Sequence, residues 1–300
     1  LNLPATGAYP GAPQNSADKS PIAIICGGGA FPAAVADAVT KRGRSVHLFL
    51  LKGYADPALQ RYPHEWIKLG SASKYMNARH SHGARELVVI GSVVRPRLSQ
   101  IGFDWKSLSY LPQIAKLFLG GDNSLLSGLA RIFEEHGLKL RGAHEVAPEL
   151  LMPAGLATRI EPTDRERGDI EIGSKLLHAL DSFDVGQAVV VAGKRIVAIE
   201  GAEGTAGLLS RVSEMRRSGR LKLAEREGVL VKLPKPSQDR RIDLPAIGTD
   251  TIVQAKEAGL AGIAVEAGGS LVLDAQQFVE TADVAGLFVI ALPASWQAAE

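Results

Sequence analysis

Lys232, Lys235 and Asp243 lie within the stretch VKLPKPSQDRRIDLP, where two prolines alternate with two lysines upstream of a carboxylate set between Ile242 and Leu244. Two ammonium groups near an acid are what cleavage of a phosphate anhydride requires. The cations dock adjacent phosphates, and the carboxylate holds a metal ion or activates water. Pro234 and Pro236 fix their own φ and drive Leu233 and Lys235 toward extended geometry, so a strand through 229–232 is expected to continue as a short polyproline-type ribbon. At about three residues per turn that ribbon puts both lysines on one side, whereas a plain strand sends them to opposite faces. Solvated lysines beside prolines that end an edge strand account for the same residues equally well. In an extended segment Asp243 faces away from Ile242 and Leu244, with Pro245 fixing the chain beyond it. A surface ion pair with Arg241 is its competing role.

Gly27, Gly28 and Gly29 follow an apolar run and precede a helical pattern, the place where a βα turn offers bare amides to an anion. Pro32 occupies the third position of a GxGxxG spacing, and no acidic residue ends the second strand after Leu50 and Leu51, which argues against a dinucleotide cofactor. Gly91 and Ser92 close another strand at the same kind of edge. Glu203, Gly204 and Thr205 lead into a helix, with Thr205 either its N-cap or a hydroxyl for a ligand. His144 and Glu145 do not make a zinc HExxH motif, because Pro148 stands where the second histidine belongs; His144 is a loop residue or a hydrogen-bond donor to substrate. Glu200 and Glu266, at strand ends, are further carboxylates that could join Asp243 around a metal.

These residues need a scaffold. A chain of 300 residues, 46% hydrophobic and 22% charged, is large enough for two cores, and a formal charge of +2 without long charge runs gives a nucleic-acid partner no electrostatic basis. The single cysteine, Cys26, excludes an internal disulfide and reads as a small core residue. No apolar run reaches the length of a membrane span and no secretory signal pattern opens the chain, so a cytoplasmic location is expected. Residues 1–20, with three prolines and two glycines, are expected to form a disordered tail. Strand-like runs at 22–26, 46–51, 87–90 and 138–140 alternate with helical patterns at 33–41 and 125–136. That alternation predicts an α/β fold with a Rossmann-like parallel-sheet N-terminal domain over 21–150. A linker over 151–167 and a mixed α/β C-terminal domain over 168–300 follow. The latter shows a hairpin of 188–192 and 196–200 about Gly193 and Lys194, helices at 206–217, 250–258 and 275–285, and strands at 229–233, 262–265, 271–273 and 287–292.

The stretch LAEREGVLVKLPKPSQDRRIDLPAIGTDTI, together with AGLAGIAVEAG, GGGAFP, YADPALQRYP, GAHEV, DVGQAVVV and AEGT, resembles the LpxI-type UDP-2,3-diacylglucosamine pyrophosphatases of lipid A biosynthesis. The likeness spans almost everything after Ser20. It implies hydrolysis of UDP-2,3-diacylglucosamine to UMP and 2,3-diacylglucosamine 1-phosphate with Mg²⁺. Asp243 would be the catalytic residue and metal ligand, Lys232 and Lys235 the phosphate ligands, and Gly28 and Gly29 the neighbours of the nucleotide. Gly91, Ser92, His144, Gln187 and Thr205 are further candidate substrate contacts. The resemblance also implies a homodimer, with the acylated sugar between the two domains and weak association with the inner membrane surface. A nucleotide-sugar transferase, or a non-catalytic lipid- or nucleotide-binding protein, is the alternative.

Overall fold

The computed structural model describes residues 20–94 and 122–294, so all of the expected tail except Ser20 lies outside the described residues. Packing divides the chain into an N-terminal unit that runs to Glu149 and takes back Gln238–Asp243, and a C-terminal unit of Leu150–Ser237 and the chain from Leu244 onward.

The N-terminal unit is built on β1 (Ile22–Cys26), β2 (Val46–Leu51), β3 (His64–Ile67), β4 (Glu86–Ile90) and β5 (Lys139–Leu140). All pair in parallel, in the order β3-β2-β1-β4-β5. β1 is buried at every position, as a parallel strand covered on both faces must be. Parallel neighbours require crossovers. These carry α1 (Phe31–Lys41), the short α2 (Ala72–Met76) and α3 (Ala78–His82), and α4 (Asp122–Glu135), while α5 (Ala143–Val146) follows β5. Phe49, Leu51, Leu87, Leu138 and Leu140 fill the core, and Ile242 of the returning segment packs against it. Strand order reverses between β1 and β4, and ligands of such sheets lie outside the strands' carboxyl ends at that reversal.

The C-terminal unit contains β6 (Gly155–Leu156), α6 (Asp164–Ala179), β7 (Ala188–Ala192), β8 (Arg195–Ile199), α7 (Gly204–Arg217), β9 (Val229–Lys232), β10 (Ala246–Ile247), α8 (Thr249–Glu257), β11 (Gly262–Glu266), β12 (Leu271–Val272), α9 (Ala275–Ala285) and β13 (Phe288–Leu292). Its six-stranded sheet runs β6-β13-β11-β9-β7-β8, parallel from β13 to β9 and antiparallel elsewhere; β10 and β12 form a separate pair. Alternation along the strands gives two cores. Val190, Leu230 and Val289 meet Leu208, Leu209, Ile252 and Phe278 of α7, α8 and α9 on one face. Val189, Val191, Val229 and Val231 meet Ile170 and Leu177 of α6 on the other. The β7–β8 hairpin turns through Gly193 at φ 58° and Lys194 at φ 64°, the left-handed pair that a two-residue turn needs. Buried Asp169 on α6 accepts from both turn amides, at 3.0 and 2.6 Å.

Residues 151–167 do not form the expected linker. Met152 is fully buried in the C-terminal core, β6 pairs with β13, and α6 begins at Asp164. Thr163 caps α6: its hydroxyl accepts from Glu166 N, and the Glu166 carboxylate accepts from Thr163 N at 2.6 Å.

Candidate active site

Lys232 is the last residue of β9, two places beyond Leu230, and so shares the face covered by α7 and α8. It is only 9% exposed. A buried ammonium must find acceptors, and Nζ donates to Thr205 Oγ1 at 2.8 Å and to the Ala246 carbonyl at 2.9 Å. The Thr205 hydroxyl in turn donates to Glu200 Oε1 at 2.7 Å, and Glu200 Oε2 accepts from Gln187 N at 2.6 Å. Thr205 is therefore not the N-cap. That position falls to Glu203, at φ −72° and without a side-chain cap, which leaves the Thr205 hydroxyl inside the first turn to bridge lysine and glutamate. Through its two oxygens Glu200 anchors the Thr205 hydroxyl and the Gln187 backbone.

Lys235 follows a different course. Its Nζ pairs with Asp184 Oδ1 at 2.5 Å, and it borders a shallow depression with His178, Gly186 and Gln187. The two lysines are not side by side as the polyproline expectation had them. Leu233 N still donates to Gln187 O at 3.0 Å and its side chain packs in the α6 core, so sheet alternation persists one residue past β9. Lys232 thus reaches a helix on one face, and Lys235 reaches the loop that follows the helix on the other.

Asp243 belongs to the N-terminal unit. Ile242 N and Asp243 N both donate to Asp239 O, at 3.0 and 3.1 Å, so residues 239–243 form a tight turn rather than the extended segment expected. Arg241 does not serve mainly as a partner for Asp243. Its guanidinium clasps Asp239 through Nε and Nη2, at 3.0 and 2.7 Å, and Nη1 reaches Glu134 Oε1 at 2.6 Å. This clasp holds the Asp239 carboxyl below its ordinary range and raises Arg241. Buried Gln238 donates to the Asp243 carbonyl at 2.6 Å. His144, on α5, lies against the same turn: a Cβ placed on the neighbouring Gly142 would come within 3.1 Å of Arg241 Cα. Burial pushes the His144 pKa down, and Arg240 and Arg141 add to that against the pull of Glu145, so its ring is neutral near pH 7.

The glycine turn sits at the reversal of strand order. Gly28 and Ser92 exchange backbone hydrogen bonds at 2.8 and 2.9 Å, and Gly27 N donates to Ile90 O at 2.9 Å. Each glycine has its own reason. A Cβ on Gly27 would lie 2.7 Å from the Gly91 and Ser92 backbones, whereas Gly29 has open space but φ 88°. α1 starts two residues later without a side-chain cap and with Pro32 in its first turn.

The structure therefore gathers Gly28, Gly29, Gly91 and Ser92 at one sheet edge, His144 against the turn that carries Asp243, and Lys232, Thr205 and Gln187 around Glu200. Lys235 stands apart from that last group, on Asp184, a residue the sequence reading did not single out. The spacing of Glu200 and Thr205 across EGAEGT, a strand end running into a helix, was the available sign of their pairing.

This is a two-unit α/β protein whose first half is Rossmann-like. The LpxI N-terminal domain model matches residues 21–150, and the LpxI C-terminal domain model matches 153–290. The chain belongs to the LpxI family. It is 36% identical over 269 residues to the UDP-2,3-diacylglucosamine pyrophosphatase LpxI of Caulobacter vibrioides, covering 90% of this chain and 96% of that protein.

Proposed function

We propose that the protein hydrolyses the pyrophosphate bond of UDP-2,3-diacylglucosamine, releasing UMP and 2,3-diacylglucosamine 1-phosphate for lipid A biosynthesis. Family membership over both units supports this, as does the name of the Caulobacter relative. The structural observation that carries it is the buried Lys232 ammonium, held in place by Thr205 and Ala246. In the reaction a water oxygen bonds to one phosphorus while the bridging P–O bond breaks, so negative charge grows on the leaving phosphate. Lys232 neutralises that charge, and a preorganised cation in a water-poor site is worth about 100-fold or more in rate. Asp243 orients the water or accepts its proton. The Gly28–Gly29 turn, with Gly91 and Ser92, receives the nucleotide at the sheet edge.

Asp243 is also the residue that would hold Mg²⁺. The donor chemistry fits: a carboxylate is the hard oxygen ligand this ion prefers, and the ion keeps waters and substrate oxygens for its remaining positions. Nearby Asp239 is clasped by Arg241 through Nε and Nη2. When bound, the ion supplies positive charge to the phosphate oxygens.

A diacylated substrate resides in a lipid surface, so the reading includes weak association with the cytoplasmic face of the inner membrane; among the described residues no helix is long and apolar enough to cross a membrane. A homodimer is part of the same reading. The test is release of UMP by purified protein given UDP-2,3-diacylglucosamine and Mg²⁺. Wild type should release it with water as the only acceptor, and Asp243→Asn should bind substrate yet fall by about 100-fold or more. No release by wild type overturns the hydrolase reading, and full activity in Asp243→Asn overturns the residue's role.

A further inference from the structure

We propose that His47, Glu65 and His82 form a three-ligand site for a zinc-class divalent metal ion. The three come from separate elements of the N-terminal unit. His47 is the second residue of β2 and shares a face with Phe49, Glu65 of β3 pairs opposite Phe49, and His82 ends α3. The rings of His47 and His82 both pack edge-on to Phe49, at 5.2 and 5.9 Å.

The ligand atoms converge. His82 Nε2 lies 3.0 Å and His47 Nε2 3.8 Å from the same oxygen, Glu65 Oε1, and among the described residues this trio alone brings three such atoms within 4.8 Å of one another. A tetrahedral ion with metal–ligand bonds of about 2.0–2.1 Å holds its donors roughly 3.3 Å apart, and the two distances bracket that value. His47 Nε2 is buried without a hydrogen-bond partner. Such a group is destabilising unless something satisfies it, and a metal ion at this position would.

Ligand type selects the metal. Two imidazoles and a carboxylate suit zinc and its neighbours, not Mg²⁺, so this ion differs from the one proposed at Asp243. Loading requires two adjustments. The His47 and His82 rings stack 3.5 Å apart at 14°, and they must turn so that both lone pairs point at one ion. Lys74, 3.1 Å from Glu65 Oε2, must yield some of its hold. Neighbouring His64 falls outside the trio, because successive residues of β3 face opposite sides and Glu65 is the one on the side of His47. The trio lies toward the amino end of β2, three residues or about 10 Å before Leu50, which pairs with Cys26 at the glycine turn.

The test uses the full chain, stripped of metal with a chelator and titrated with Co²⁺ and with Zn²⁺ in the presence of excess Mg²⁺. One equivalent of Co²⁺ should bind with the intense visible bands of tetrahedral coordination, and Zn²⁺ should displace it and raise Tm. His47→Gln, Glu65→Gln and His82→Gln should each weaken binding by at least about 10-fold and remove the Tm rise, with UMP release as a separate readout. Far-UV circular dichroism without metal reports folding; if His47→Gln does not fold, the exposed end of α3 makes His82→Gln the decisive variant. Absence of stoichiometric binding, or equal affinity in the Glu65→Gln/His82→Gln double variant, overturns the site.

Discussion

Replacing Thr205 with valine keeps the shape of the side chain and deletes the hydroxyl that joins Lys232 to Glu200, at 2.8 and 2.7 Å. Both bonds involve a charged partner, and such bonds contribute about 1.5–3 kcal/mol each. Lys232 keeps the Ala246 carbonyl and Glu200 keeps the Gln187 amide, so the combined loss should fall toward the lower end, about 3–4 kcal/mol. For a domain of this size each kcal/mol moves Tm by about 2–4 °C, which predicts a fall of roughly 5–15 °C. Thr205→Ser retains the hydroxyl and deletes one methyl, about 0.8 kcal/mol at most. It should lie far closer to wild type. Thermal melts of the three proteins give the ranking, and UMP release gives a second measure, because a displaced ammonium no longer meets the phosphate and the rate should drop by about 10-fold or more. A Thr205→Val protein that melts within about 1 °C of wild type, or one more stable than Thr205→Ser, would show that the bridge does not hold Lys232.

The glycine turn offers a contrast: Gly29→Ala strains only φ and should cost about 1–2 kcal/mol, whereas Gly27→Ala drives a methyl into the Gly91 and Ser92 backbones and should cost more, read as urea midpoints. Cys26 is fully buried and burial pushes its thiol pKa up to about 12, so a thiol reagent should label it in urea and leave the native protein unmodified. The folded-state pKa of Asp239 is lowered by Arg241, so its stabilising effect is present above the ordinary carboxylate range and lost as pH falls through the lowered value. The stability gap between wild type and Asp239→Asn should therefore be full at about pH 6 and closing by about pH 3, measured by urea unfolding at each.

Much of the scaffold was legible because burial writes itself into apolar runs. IAIIC and AVVVA are covered on both faces and read as strands, and α9 was expected over the residues it occupies. α6 went unread because DRERGDIEIGSKLLHA is polar over much of its surface, and only Ile170 and Leu177 of it belong to the buried core; its Thr163–Glu166 capping box was the signal to use. The two-residue strands β6 and β10 carry no period at all, whereas β12 falls within the strand expected over 271–273. His47, Glu65 and His82 were invisible as a group for a different reason: each belongs to a separate element, and strand register together with the packing of α3 on His47 and Phe49 brings them together.

The hardest case was the motif that pointed most directly to chemistry. VKLPKPSQDRRIDLP is continuous in sequence, but packing divides it after Ser237 and again after Asp243. Prolines alone favour an extended course through this stretch, and local reasoning had no term to oppose them. The opposing term is long-range: Arg241 reaches Glu134, 107 residues away, while clasping Asp239, and Ile242 joins the N-terminal core. Lys232 is fixed by Thr205 and Ala246 in the C-terminal unit. Ammonium and carboxylate are thus each oriented by a different core, so nearness along the chain is not what positions either one. Lys232 and Asp243 are each held by a separate set of tertiary contacts.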